Sequence, residues 1–242
     1  MSRSHSSQFL VAEKPLKGGV LRLNESESHH ARSVRRLVKG DEVRLSDGAG
    51  NLARGVLVDV PRQGSVEVLV EDAWHSEPST LKITLIQALV SGDLINDSIA
   101  MMTELGVACF IPWVAERSQV RGQNVTNRWR KVASEATKQS GRAWLPEVSE
   151  PKATVDLEPV LADLDLVLVG DSAATLNVGQ VSFGNAKSLG LVVGPEGGLT
   201  QSEVNFFDQL GGVRVSLGLT TLRAVTAGIA LVAALQTQVP NK

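Results

Sequence analysis

The first third of the chain alternates short apolar runs with tight turns, a pattern typical of a small β-barrel. A helix is predicted over about Ser28–Val38. After it we predict strands at Glu42–Leu45, Leu52–Val60 and Ser65–Val70. The polar segment Trp74–Thr80 indicates a linker. We therefore assign residues 1–75 to an N-terminal barrel domain and residues 80–242 to a second domain.

From Leu81 onward, apolar runs alternate with amphipathic stretches, which predicts an α/β domain. The predicted strands are Leu81–Leu89, Ala108–Val114, Leu164–Val169, Leu191–Val193 and Val213–Leu217. The predicted helices are Asp93–Leu105, Asn127–Ser140 and Thr226–Gln236. This alternation favours a parallel sheet covered by helices, with ligands at the carboxyl ends of the strands. Three of these ends carry glycine, at Gly170, Gly194 and Gly218.

The most informative segment runs from Leu191 to Thr200 and reads Leu-Val-Val-Gly-Pro-Glu-Gly-Gly-Leu-Thr. Its apolar start predicts a buried strand, and Thr200 with Glu203 forms a capping box that begins a helix. The glycines allow backbone to approach a ligand closely, although a tight surface turn fits the same residues. The segment lacks the P-loop and dinucleotide fingerprints, which argues against NTPase and nicotinamide chemistry.

The composition is that of an ordinary globular protein, with 43% hydrophobic and 21% charged residues. A net charge of −2 excludes a generally basic nucleic-acid coat but leaves room for local basic patches. The single cysteine, Cys109, lies in an apolar run. It excludes a disulfide within the chain, and we interpret it as a small buried hydrophobe rather than a nucleophile.

Targeting and metal signals are also missing from the sequence. The first eight residues lack the apolar core of a signal peptide. The apolar segment Ala224–Leu235 is shorter than the ~20 residues of a membrane span. The four histidines do not share a metal-ligand spacing with cysteines or acids. We therefore expect a cytoplasmic protein with no membrane partner and no metal.

Two basic segments are candidate nucleic-acid contacts. In the first, Arg32, Arg35 and Arg36 lie off an apolar stripe formed by Ala31, Val34, Leu37 and Val38. No acid occurs between Ser28 and Gly40. A solvated face and a phosphate-binding face both fit this pattern.

The second segment spaces Arg128, Lys131, Lys138 and Arg142 along one predicted helix face. Arg121 and Arg130 add charge nearby, against a single acid, Glu135. Such a local excess on a chain of net negative charge predicts an RNA or DNA backbone contact. Aromatic residues make up only 4% of the chain, so we expect recognition by phosphate contact and shape rather than by base stacking.

Five blocks in order resemble the RsmE family, the 16S ribosomal RNA uridine-N3 methyltransferases of the SPOUT superfamily. They are His30–Arg36 with Lys39-Gly40-Asp41, Thr103–Val107, Lys138–Arg142, Gly194–Thr200, and Leu217-Gly218 followed by Leu222-Arg223 and Thr226-Ala227. The resemblance covers nearly the whole chain. Pro-Glu-Gly-Gly alone is a weak signal, but five ordered blocks are a strong one.

The resemblance implies a PUA-like β-barrel followed by a SPOUT-type parallel sheet with a deep trefoil knot. It implies S-adenosyl-L-methionine as cofactor, held by loops after three strands. The implied cofactor residues are Val169, Gly170, Gly194, Pro195, Glu196, Gly197, Gly198, Leu217, Gly218 and Leu222. It further implies a homodimer with the site at the subunit interface, acting on 16S rRNA within the small ribosomal subunit to give 3-methyluridine.

The resemblance also suggests roles for single residues. Arg223 would stabilise the developing uracil anion, and Glu196 would act as a base or hold the loop. The implied RNA-binding residues are Arg32, Arg35, Arg36, Arg128, Lys138 and Arg142. Methyl transfer from a sulfonium requires in-line placement and loss of the uracil proton, but no metal.

Two departures from the family pattern leave alternatives open. Family members often carry Arg-Thr-Glu-Thr-Ala where this chain has Arg223-Ala224-Val225-Thr226-Ala227, so an acid is missing. The helix that begins at Asp93 lacks the lysines common in the family, which predicts weaker RNA contacts there. One alternative is a SPOUT methyltransferase acting on transfer RNA or another rRNA site. The other is a noncatalytic RNA-binding assembly factor.

Overall fold

The computed structural model describes residues 7–15, 17–118, 124–218 and 220–238. The chain divides into two compact units. One comprises Met1–Pro78 together with Thr137–Leu145, and the other comprises Ser79–Ala136 and Pro146–Lys242. The first unit therefore includes a short segment from far along the chain.

The first unit contains a five-stranded sheet in the order β1-β3-β4-β5-β2. Its strands are β1 (Gln8–Leu10), β2 (Val20–Arg22), β3 (Glu42–Ser46), β4 (Asn51–Asp59) and β5 (Glu67–His75). β1 runs parallel to β3, and the remaining pairs are antiparallel. The three predicted strands are confirmed, whereas the three-residue β1 and β2 are too short to show a pattern. Trp74 pairs with Leu52 at the end of β5, so the predicted linker begins later than expected.

The first helix ends earlier than its pattern predicts. Helix α1 (Glu25–His29) continues into one π-helical turn, His30–Val34, and the backbone then reverses at Arg36, whose φ is 54°. Of the predicted apolar stripe, Ala31 is fully buried, but Val34 and Val38 are 61% and 62% exposed. The stripe prediction was wrong for Val34 and Val38, because the π-helical turn and the reversal at Arg36 break the helical period. Leu37, the fourth residue of the stripe, is half-buried and packs against the core of the first unit.

The segment Thr137–Leu145 is bonded into the first unit by its backbone. Gln8 donates to the carbonyl of Arg142, and the N–H of Gly50 donates to the carbonyl of Ala143. The Nζ of Lys138 lies 2.9 Å from Oε1 of Glu27, with the two side chains only 8% and 9% exposed. This buried ion pair joins residues separated by 111 positions.

The second unit is a parallel sheet covered by helices, as predicted. Its elements in chain order are β6 (Lys82–Ala88), α2 (Leu94–Glu104), β7 (Cys109–Val114), α3 (Val125–Ser140), β8 (Glu147–Val148), β9 (Lys152–Ala153), α4 (Glu158–Ala162), β10 (Leu166–Gly170), β11 (Ser188–Val193), α5 (Gln201–Gln209), β12 (Val213–Val215) and α6 (Ala224–Gln236). The last turn of α3, from Thr137, is counted with the first unit. The strand order is β12-β10-β11-β6-β7-β8, and β9 also pairs with β7.

Both faces of this sheet are apolar and buried, as parallel sheets require. One core cluster contains residues of α2, α3 and α6, among them Met102, Trp129 and Leu231. The second core cluster is formed by the alternate strand residues, on the opposite face of the sheet. It contains Trp113 and also Phe207, which comes from α5. Among the described residues, no helix combines the length and hydrophobicity that crossing a bilayer requires.

The buried ion pair makes a stability prediction. Lys138→Met leaves the Glu27 carboxylate buried without its cation, so we expect the free energy of unfolding to fall by about 3 kcal/mol. Glu27→Gln combined with Lys138→Met removes both charges and is expected to recover most of that loss. Urea denaturation followed by tryptophan fluorescence measures both. A single-variant loss below about 1 kcal/mol would mean that the pair contributes no more than a surface contact.

Candidate functional site

Three neighbouring parallel strands end at one edge of the sheet in the second unit. β10 lies between β11 and β12, and its last residue, Gly170, is in register with Val193 and Val215. The chain beyond each strand lines one cavity of about 470 Å³. This volume is within the range of small-molecule sites, and the position is where open α/β sheets bind ligands.

Eight of the ten predicted cofactor residues line this cavity: Gly170, Gly194, Pro195, Glu196, Gly198, Leu217, Gly218 and Leu222. The other two do not. Val169 is fully buried, because alternation along β10 places its side chain on the sheet face whose core contains Trp113 and Phe207. Gly197 faces the side chain of Arg117, whose Cδ would lie 3.2 Å from a Cβ added at this position.

The cavity also has walls that sequence reasoning missed. Asp171 and Ser172 follow β10, Thr220 and Thr221 lie in the loop after β12, and Val204 belongs to α5. The only signal in the sequence for the first four is that they follow predicted strand ends, and no such signal exists for Val204. Asp171 is the most notable of them because it brings a carboxylate to the cavity.

The glycine-rich loop after β11 is fixed by the start of α5. Thr200 caps this helix, and its N–H donates to Oε2 of Glu203 at 2.8 Å, which confirms the predicted capping box. Glu203 is only 1% exposed, and its Oε1 accepts a hydrogen bond from the N–H of Glu116 at 2.8 Å. One buried carboxylate thus joins the loop after β7 to the end of the glycine-rich loop.

Arg117 supports the same loop from outside the cavity. Its Nη1 donates to the carbonyl of Gly197 at 2.6 Å and lies 3.4 Å from the carbonyl of Leu199. No pattern in the sequence predicts this contact, since Arg117 and Gly197 are 80 positions apart.

Two cavity glycines have backbone conformations that other residues rarely adopt. Gly198 has φ of +70° and Gly218 has φ of +147°. A Cβ built at either position meets no atom within 4 Å, so the missing side chain leaves open space at the cavity wall. The backbone here can therefore approach a ligand directly.

The two predicted catalytic residues reach the same cavity. Arg223 is the residue before α6 and is exposed, and Glu196 is exposed in the glycine-rich loop. At the position of the acid that the family often carries, Val225 is 9% exposed and packs in the apolar core. The structure therefore gives this chain no carboxylate on the first turn of α6. The roles of Arg223 and Glu196 remain predictions.

Some of the predicted RNA-binding residues are exposed, and others are already bonded to or buried against other residues of the protein. Arg35, Arg36 and Arg128 are exposed, and Arg32 is half-buried with Nη1 donating to the carbonyl of Gly64. Lys138 does not share an exposed face with Arg128, because it is buried against Glu27. Burial also lowers the pKa of the Arg142 guanidinium to about 10. Arg121 lies outside the described residues.

Neither a metal site nor a reactive thiol is found in the described part of the chain. No group of three or more histidines, cysteines or acids there could hold a metal ion. Burial, with a smaller contribution from Glu147, raises the pKa of the Cys109 thiol to about 11. The thiol is therefore protonated at neutral pH, which agrees with its interpretation as a small hydrophobe.

Comparison with known proteins gives consistent matches. An RNA methyltransferase domain matches residues 77–236, and an RNA methyltransferase PUA domain matches residues 23–70. Ribosomal RNA small subunit methyltransferase E of Mycobacterium bovis is 35% identical, over 90% of this chain and 87% of its own. The protein of the same name from Bacillus subtilis is 30% identical over 88% of each chain.

Two solved structures also match over nearly the whole chain. Ribosomal RNA small subunit methyltransferase E from Neisseria gonorrhoeae, bound to S-adenosyl methionine, is 28% identical with a TM-score of 0.88. A methyltransferase from Legionella pneumophila in complex with SAM is 25% identical with a TM-score of 0.86. Each comparison covers 97% of this chain and 98% of the other.

The buried carboxylate of Glu203 generates a prediction. Glu203→Gln replaces an acceptor with an N–H₂ donor facing a backbone N–H, so we expect the free energy of unfolding to fall by about 2 kcal/mol. Glu158→Gln, an exposed first-turn position in α4, is the matched control and should change it by less than about 0.5 kcal/mol. Urea denaturation compares the two. Equal losses would show that the Glu203 bonds do not hold this region.

Proposed function

The chain belongs to the ribosomal RNA small subunit methyltransferase E family, and we propose that it methylates N3 of a uridine in 16S ribosomal RNA with S-adenosylmethionine as donor. The resemblance found in the five sequence blocks is confirmed by these relatives. The observation that carries the proposal is the cavity at the ends of β10, β11 and β12, which Arg223 and the glycine-rich loop share.

The residues of this cavity fit the cofactor. Gly198 and Gly218 leave open space where side chains would stand, so backbone groups can contact an adenosyl moiety. Pro195, Leu217 and Leu222 supply apolar wall for a flat base. When bound there, S-adenosylmethionine supplies an electrophilic methyl group.

Residues of this chain orient the target uracil and stabilise the negative charge that develops on it. Uracil N3 becomes a nucleophile once its proton leaves, and the anion then spreads over the neighbouring oxygens. The guanidinium of Arg223 at the cavity wall stabilises that anion. Glu196 takes the proton or holds the loop, while fixed placement of the two reactants supplies much of the rate.

The RNA itself is held by phosphate contacts. The exposed guanidinium groups of Arg35, Arg36 and Arg128 are the main candidates, and the half-buried Arg32 is a further one. Lys138 is left out of this set because Glu27 already neutralises it. We propose that the substrate is the assembled small ribosomal subunit in the cytoplasm. We also propose that the chain forms a trefoil knot around the cofactor site.

A homodimer is supported by the surface of α6. This helix is apolar at nearly every position, yet Ile229, Ala230 and Ala233 are only half-buried. On α2, which packs against α6, Leu94 and Met101 are 53% and 46% exposed. An apolar surface of this kind on two adjacent helices is what a second copy of the chain would cover.

The role of the cavity glycine Gly198 can be tested with a matched pair of variants. Gly198→Ala and Gly211→Ala place a methyl group at similar φ, +70° and +79°, with no atom within 4 Å of either Cβ. Each should cost about 1 kcal/mol of stability. Only Gly198 lines the cavity, so we expect its variant to bind S-adenosylmethionine about tenfold more weakly, since 1.4 kcal/mol corresponds to a factor of ten. Calorimetry measures the affinity, and equal affinities would place the cofactor elsewhere.

The reaction is tested with labelled S-adenosylmethionine and small ribosomal subunits from cells that lack the modification. Mass spectrometry of the rRNA should find a single 3-methyluridine. Arg223→Ala should lower kcat about 10²-fold, whereas Arg62→Ala, an exposed turn position, should not change it. Methylation of transfer RNA instead, or no transfer by a protein that binds the cofactor, would contradict the proposed substrate.

A further inference from the structure

Asp171 brings a fixed carboxylate to the cofactor cavity. Its backbone N–H donates to the carbonyl of Val215 on the neighbouring strand at 2.9 Å. Its Oδ1 accepts a hydrogen bond from the N–H of Ala173 at 2.8 Å. These bonds hold the residue at the end of β10, where it lines the cavity. The side chain is therefore oriented before any ligand enters.

The charge of this carboxylate is partly offset by a guanidinium that a second carboxylate shares. Nη1 of Arg214, on β12, lies 3.5 Å from Oδ2 of Asp171, and Nε of the same guanidinium lies 3.5 Å from Oδ1 of Asp208. A carboxylate offers about four lone-pair positions, so this ion pair and the Ala173 bond leave acceptor capacity unused. Asp171 thus combines free acceptors with a charge that is partly neutralised.

Glu196 is the contrasting acid of the cavity. It is exposed in the glycine-rich loop and forms no ion pair with any other described residue. A cationic part of a ligand, such as a sulfonium or an ammonium, is better matched by this uncompensated charge. The partly neutralised carboxylate of Asp171 is the better match for neutral donors, and two adjacent hydroxyl groups suit its two oxygens.

We propose that Asp171, oriented by Arg214, accepts hydrogen bonds from the vicinal ribose hydroxyls of the adenosyl ligand. This inference rests on the proposed function, because it assumes a nucleoside cofactor in the cavity. It assigns Asp171 a binding role that is separate from methyl transfer.

Ligand binding without turnover tests the proposal. There are three probes. The first is S-adenosylmethionine, and the second is 5′-methylthioadenosine, which keeps the ribose diol but lacks both the sulfonium and the ammonium. The third is the 2′,3′-dideoxy analogue of 5′-methylthioadenosine. Asp171→Asn should weaken binding of the first two about tenfold and by the same factor, because one acceptor of the pair is lost. It should leave the affinity for the dideoxy analogue unchanged.

Asp208→Asn is the matched control. It removes a carboxylate charge that also lies 3.5 Å from the guanidinium of Arg214. Unlike Asp171, Asp208 does not line the cavity. We expect its affinities to equal those of the unsubstituted protein. An equal loss in Asp208→Asn would show that only the Arg214 network matters and would overturn the proposal.

The remaining outcomes are also decisive. A loss for S-adenosylmethionine alone would assign Asp171 to a cation of the ligand, and a loss for the dideoxy analogue would assign it to the base. Unchanged binding of all three probes would overturn the inference while leaving the proposed function standing. No binding of S-adenosylmethionine by the unsubstituted protein would instead contradict the proposed function itself.

Discussion

The buried carboxylate of Glu203 accepts hydrogen bonds from Thr200 and from Glu116 at the same time, and so connects loops that leave two different strands. A glycine-rich loop has little conformational preference of its own, and ordering it costs about 1–2 kcal/mol per residue. The bonds of Glu203 and the contact of Arg117 with Gly197 offset that cost in the folded state. Consequently the wall of the cavity is in place before a ligand binds.

The parallel sheet provides the second half of this arrangement. Because β10, β11 and β12 are neighbours with the same direction, the loops after them meet at a single edge. Val169, Val192 and Val193 are buried just before that edge and anchor it in the apolar core. Polar and conformationally unusual residues therefore begin only where the strands end, which is where chemistry is possible.

Local patterns explain which features were predicted from the sequence. The strand at Leu191–Val193, the capping box of Thr200 and Glu203, and the glycines at the strand ends are all encoded within a few residues. The π-helical turn that exposes Val34, the burial of Lys138 and the placement of Gly197 were not predictable. Each depends on a partner or a backbone reversal that periodicity does not report, and Glu27 is 111 positions from Lys138.

The segment Thr137–Leu145 has a consequence for how such proteins diverge. It completes the first unit, where Gln8 and Ser46 are buried and bond to its carbonyl groups. A fragment ending at Pro78 would leave these polar groups without their acceptors. Recombination between relatives that exchanged only the N-terminal stretch would separate Glu27 from the lysine it evolved with. The two parts of the gene are therefore under pressure to be inherited together, although more than fifty codons lie between them.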